Sequence, residues 1–114
     1  MSVSSSAKLD KIFGALADPT RREILGKVKV EAVSVVELAS DFEISLPAVS
    51  KHLKILNNAG LLKRKKKGRF IFCKYEPETI AVAVKWISEQ NRFWQESFDS
   101  LETFLDHFDS KAKK

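Results

Sequence analysis

The chain has 114 residues, 44% of them apolar and 31% charged, with a net charge of +5 and a single cysteine. That length sets one domain with a modest core, and no apolar run approaches the roughly 18 residues of a membrane span. The lone Cys73 excludes an internal disulfide and a multi-cysteine metal centre. The opening residues, MSVSSSAK, hold no apolar stretch of signal-peptide length, so the cytoplasm is the expected location.

Residues 1–7 are small and polar and read as a disordered tail. Leu9, Ile12, Phe13 and Leu16 recur at 3/4 spacing and predict an amphipathic helix over 8–17. Asp18-Pro19 interrupts it, with Asp18 a natural N-cap and Pro19 a natural first helical residue. The second helix runs to about Val28 and buries Ile24 and Leu25. Arg21 and Arg22 stand in its first turn, against the helix dipole. Either an acid of the fold, such as Glu23, or a phosphate compensates them. Residues 30–33 form a connector with room for one short strand. Ser34-Val35-Val36-Glu37 then has the capping-box pattern and starts a short helix that buries Val36, Leu38 and Ala39.

The tight link 41–44 leads into SLPAVSKHLKILNNA at 45–59. Ser45 is placed to cap this helix, Pro47 is tolerated in its first turn, and Gly60 suits a left-handed close. Val49, Leu53 and Leu56 form an apolar stripe at i, i+4, i+7. Ala48, Ser50, Lys51, Lys54 and Asn57 lie off it, small or polar, with no acid among them. Two short helices joined by about four residues make a helix-turn-helix, whose second helix reads DNA.

Beyond Gly60 the period becomes alternating. Residues 61–67 and 70–75 read as two strands joined at Gly68-Arg69, a β-hairpin or wing. Phe70, Phe72 and Lys74 share one face; Ile71, Cys73 and Tyr75 share the other. Charge segregates sharply here. Residues 61–75 carry seven cations and 45–60 two more, with no acid in the whole stretch, while 76–114 is net −3. That is the electrostatic footprint of a polyanion site. The tip side chains Lys65, Lys67 and Arg69 can reach a phosphate backbone.

Pro77 opens the last segment. Ile80, Val84, Ile87, Asn91, Trp94, Phe98, Leu101, Leu105 and Phe108 alternate steps of four and three, and Trp86, Phe93 and Phe104 widen the stripe. One long helix and two shorter ones fit equally well. So aromatic a helix is more than a small domain can cover, which points to burial against a second copy. Residues 77–109 are therefore expected to dimerise the chain, 8–76 to bind DNA, and 110–114 to form a basic tail.

The segments LADPTRREIL at 16–25, VVELA at 35–39, LPAVSKHLKILNNAGLL at 46–62 and KKGRFIFCKY at 66–75 together resemble the ArsR family of winged-helix repressors. The tail WISEQNRFWQESFDSLETFL resembles the branch with a Trp- and Phe-rich last helix. The resemblance implies a mainly α fold with a β-hairpin, a winged helix-turn-helix with a long C-terminal dimerisation helix. It implies a homodimer whose first and last helices pair across a two-fold axis, through Leu9, Ile12, Phe13, Trp94, Phe98, Leu101 and Leu105. The family's metal sensors carry a cysteine pair in the stretch matching 35–39, and this chain has none there. His107, with Asp106 and Asp109, falls short of the four ligands a closed zinc site takes. No metal, no cofactor and a non-metal-sensing branch are the expectation.

The reading is a dimeric, sequence-specific repressor of double-stranded DNA, not an enzyme. Ser45, Leu46, Pro47, Ala48, Ser50, Lys51 and His52 face or flank the groove, with Ser50 and Lys51 the best readers of base edges. Lys54, Lys65, Lys67 and Arg69 hold phosphates. Leu46 stands where the family often has a polar residue. A winged-helix protein-interaction module and a nonspecific architectural DNA binder are the rivals. The effector is unknown, and a thiol switch at Cys73 is a separate option among lysines that favour the thiolate.

Overall fold

The computed structural model describes residues 3–112, with side chains from 6 to 108. In chain order it holds α1 (Val3–Leu16), α2 (Pro19–Val28), β1 (Val33–Ser34), α3 (Val35–Phe42), α4 (Leu46–Asn58), β2 (Leu62–Lys67), β3 (Phe70–Tyr75) and α5 (Pro77–Ala112). This is the expected winged helix-turn-helix. The three strands form one antiparallel sheet in the order β1-β3-β2. Two compact units divide between Ala83 and Val84.

The first unit closes around one apolar core. Each element before α5 contributes a few side chains: Ile12 and Ala15 from α1, Ile24, Leu25 and Val28 from α2, Leu38 from α3, Val49, Leu53 and Leu56 from α4, Leu62 and Cys73 from the hairpin. No polar side chain is buried among the described residues. The predicted stripe of α4 is fully buried at all three positions.

Four expectations change. α1 begins at Val3, so the helix takes in most of the stretch read as a tail. Ser and Ala tolerate a helix, and no Gly or Pro stops it there; Met1 and Ser2 lie outside the described residues. Leu9 and Ile12, expected at a dimer face, are buried within the chain, Ile12 completely. α1 packs on α2 and α4. Phe13 is half-buried against the same core. In α3 it is Val35, not Val36, that packs inward; Val36 is 55% exposed. The first unit runs past residue 76, with Ala83 of α5 in the core and Ile80 and Val82 packed against it.

The second unit is the remainder of α5, and α5 itself is one unbroken helix rather than two. It runs to Ala112, through the start of the expected basic tail; Lys113 and Lys114 lie outside the described residues. Val84, Ile87, Trp94, Phe98, Leu101, Leu105 and Phe108 are all more than half exposed. Trp94 stacks edge-on to Phe93 at 5.6 Å and tilts against Phe98 at 5.9 Å. No helix among the described residues is long and apolar enough to cross a membrane.

Candidate nucleic-acid interface

The reading helix is held at both ends by its own sequence. Ser34 accepts from the Glu37 backbone N–H at 3.1 Å and starts α3. α3 ends at Glu43, which takes a left-handed φ of 52°, the only non-glycine with positive φ among the described residues. Its neighbour Ile44 returns its N–H to the Ala39 carbonyl at 3.2 Å. This sharp reversal aims the chain into α4, where Ser45 accepts from the Ala48 N–H at 3.3 Å. At the far end Gly60 (φ 77°) donates to Asn57, and Leu61 donates to Leu56, both at 3.0 Å. That double return is the Schellman close, with buried Leu61 and Leu56 as its apolar pair. A Cβ on Gly60 would meet Thr79 Oγ1 at 3.2 Å, so space as well as φ selects glycine.

With Val49, Leu53 and Leu56 turned inward, α4 presents an acid-free face. Ser45, Leu46, Pro47, Ser50, Lys51 and Lys54 are exposed, and Ala48 is half-buried. His52 is the exception among the predicted readers. Its side chain is 24% exposed, with Nδ1 3.9 Å from Asp18 Oδ2 and 3.5 Å from Arg21 Nη1. These contacts tie α4 to the start of α2.

The same cluster explains Arg21 and Arg22. Arg21 donates from Nε to the Ala15 carbonyl at 2.7 Å and from Nη2 to the Gly14 carbonyl at 3.1 Å. Arg22 donates to the Leu16 carbonyl at 2.8 Å. Both arginines therefore cap the C-terminus of α1, where free carbonyls and the negative dipole end favour cations. The α1 carbonyls, rather than Glu23, receive both side chains. Asp18 caps α2 through the Arg21 N–H at 3.0 Å. That hydrogen bond lowers the Asp18 carboxyl below its ordinary value, with help from the Arg21 and His52 charges and against the cost of desolvation.

The wing is a two-residue hairpin. Lys67 pairs with Phe70 across Gly68-Arg69, and Gly68 has φ 63°, matching a II′ turn with glycine first. Every residue from 63 to 70 is exposed. Arg69 lies over the Phe70 ring at 5.4 Å, and residues 61–75 make no ion pair among the described residues. Cys73 differs from its neighbours. It is fully buried, and burial pushes its thiol up to about 11, against the opposing pull of Arg64. A neutral, covered thiol is a packing group, not a redox switch. Of the three candidate metal ligands near the end of α5, Asp109 has its side chain outside the described residues.

Comparison with known proteins agrees with this geometry. Residues 18–64 match the model of the family described as bacterial regulatory protein, arsR family. The chain is 33% identical over 79 residues to the transcriptional repressor SdpR of Bacillus subtilis, covering 69% of this chain and 88% of that protein. It is 34% identical over 97 residues to the HTH-type transcriptional regulator Rv2034 of Mycobacterium tuberculosis, covering 85% and 88%. An ArsR-like transcriptional regulator from Rhodococcus sp. RHA1 superposes with a TM-score of 0.78 at 27% identity, over 90% of this chain and 96% of that one. A crystal structure of another ArsR family transcriptional regulator gives 0.74 at 38% identity, over 79% and 93%.

Proposed function

The chain belongs to the arsR family of bacterial regulatory proteins, and from that premise we propose that it is a homodimeric repressor that reads a near-palindromic operator. One observation carries the reading. Helix α4 sets a fully buried stripe against an acid-free exposed face, and a hairpin with seven cations follows it in the same unit. A duplex offers what this arrangement lacks, a dense row of negative charge beside a groove wide enough for a helix.

In this reading Ser50 and Lys51 contact base edges. Ser45, Leu46, Pro47 and Ala48 line the approach, with Leu46 placed for a thymine methyl. Lys54, Lys65, Lys67 and Arg69 bind phosphates and supply most of the affinity. His52 positions α4 through Asp18 and Arg21. The heptad-spaced aromatic face of α5 pairs with a second copy, which puts half-sites about 10 bp apart or a multiple of that. The stretch 35–39 holds no cysteine pair of the arsenic-sensor kind, and in this reading a signal other than metal releases the protein from DNA.

The test is selection of bound fragments from a genomic library, followed by gel shift of the selected site against random competitor. The expected outcome is a preference of at least about 10³-fold over random DNA. Equal binding to both would make it an architectural protein. No binding to either would make it a protein-interaction module.

A further inference from the structure

The outer face of the wing carries more than a duplex contact accounts for. Antiparallel register sets Lys63 directly opposite Lys74, Lys65 opposite Phe72, and Lys67 opposite Phe70. Side chains alternate across a strand, so these six share one face. Leu62 and Cys73, on the other face, enter the core. The open face forms a groove of about 630 Å³, walled by Lys63, Lys65, Lys67, Phe72, Lys74 and Glu76. That is the size of a small-molecule site.

Two features of the groove point to its occupant. Like charges directly opposed across a sheet are destabilising. Yet Lys63 faces Lys74, and among the described residues no ion pair relieves either of them. Four lysines against the single carboxylate of Glu76 leave the groove net positive, so it favours an anion. Phe72 sits among these lysines, half-buried, so the sheet holds its ring while solvent still reaches it. Duplex phosphates would satisfy the lysines but leave Phe72 idle, because paired bases are already stacked on one another. A single strand would want a platform for each successive base; Phe72 is the aromatic that lines the groove, while Phe70 on the same face lies outside its lining with Arg69 over its ring.

We propose that this groove binds one nucleotide, its base on Phe72 and its phosphates among Lys63, Lys65 and Lys74. The consequence for regulation rests on the reading of the wing as a phosphate-holding element. Lys65 and Lys67 serve both the groove and the DNA, so an occupied groove withdraws cations from the operator. The nucleotide is then the release signal that the absent cysteine pair leaves open.

The test uses the full chain and ATP as probe, titrated by calorimetry at fixed ionic strength without DNA. Inorganic tripolyphosphate, adenosine and a short oligothymidylate serve as comparison probes. The expected result is saturable ATP binding at one per chain, weaker tripolyphosphate binding and none by adenosine. Phe72→Leu should weaken ATP by about fivefold or more and leave tripolyphosphate unchanged, as expected for loss of one stacked base. Lys63→Ala, a fully surface change, should weaken both. Absence of saturable ATP binding overturns the site. Equal binding of ATP and tripolyphosphate, unaffected by Phe72→Leu, reduces it to plain charge attraction and also overturns it. Tighter oligothymidylate binding reassigns it to single strands. Because these titrations omit DNA, their failure is separate from failure of the operator selection. A last arm adds ATP to the protein–operator complex. Release by ATP, shifted to higher concentration in Phe72→Leu, supports the regulatory link, and undiminished operator binding at saturating ATP removes it.

Discussion

Arg21 places Nη1 3.5 Å from Nδ1 of His52, linking the start of α2 to the middle of the reading helix. A guanidinium has no lone pair and can only donate. In this contact Nδ1 is therefore the accepting atom. The other arms of the same guanidinium hold the last carbonyls of α1. One side chain thus ties three helices together, and α4 inherits its position from the capping of α1.

Arg21→Ala removes all of those bonds. We expect a loss of about 1–3 kcal/mol in urea unfolding. Arg21→Lys should recover less than half of it, because an ammonium cannot reproduce the fork. The salt dependence of DNA binding should not change in either variant. A salt slope flattened by about one unit would instead mark Arg21 as a phosphate contact.

Glu43 occupies the turn between α3 and α4 with φ 52°, a conformation that L side chains adopt at a cost. Glu43→Gly should raise stability by up to about 1 kcal/mol, and Glu43→Ala should give no such gain. Operator preference should be the same in both, since the turn geometry is retained. Urea titrations paired with gel shifts check this.

Much of this architecture is legible in local chemistry. Ser45, Pro47 and Gly60 bracket α4 because capping is decided within a few residues, and the switch from 3/4 spacing to alternation marks the hairpin. What fails is decided at longer range. The capping box correctly starts α3 at Ser34, but whether Val35 or Val36 turns inward depends on where the core lies. Leu9 and Ile12 have the spacing of an exposed stripe, and only the packing of α1 on α2 and α4 shows them buried. Arg21 and Arg22 look misplaced on the dipole of their own helix. They make sense once the short break at Ala17-Asp18 brings them back to the end of α1, a signal present in the sequence as arginines five and six residues beyond a helix terminus. His52 was readable as part of the reading helix but not as a link to Asp18, which is 34 residues away in the chain.

Cys73 gives a test by chemistry and by pH. Its thiol is raised from an ordinary 9.0 to about 11 by burial, so folding favours the neutral form. A raised folded value means that this contribution is full below about pH 9 and is lost as pH rises through about 11. Stability should therefore fall across that window in wild type, and fall less in Cys73→Val. At neutral pH a thiol reagent should react only as fast as the chain unfolds. Rapid labelling of the native protein would contradict the burial.

The wing variants separate affinity from specificity. Lys67→Ala and Arg69→Ala should each weaken binding to all sequences and flatten the slope of log K against log salt by about 0.9. Lys51→Ala should in addition relax preference at one base pair. Binding isotherms on operator and random duplex across a salt series read both effects. Unchanged slopes in the two wing variants would leave the hairpin's charge without a role in DNA binding.

The exposed face of α5 repeats at alternating three- and four-residue steps from Val84 to Phe108, a span of about 36 Å at the helical rise. Asn91 is its one polar member. In a two-helix pairing an Asn at such a position fixes register at a cost in stability. Phe98 lies beyond it, 57% exposed with its ring against Trp94. Phe98→Glu puts a charge in the middle of the stripe without touching the first unit's core. It should yield folded monomers by sedimentation, with circular dichroism retained and half-site DNA bound weakly. Asn91→Leu should act in the opposite direction, raising the midpoint of thermal unfolding while allowing the helices to pair in more than one register. In the proposed dimer, that loss of uniqueness would appear as weakened selectivity for operator spacing. If Phe98→Glu stayed dimeric at micromolar concentration, the aromatic stripe would not be the dimer contact, and half-site spacing would have to be set elsewhere.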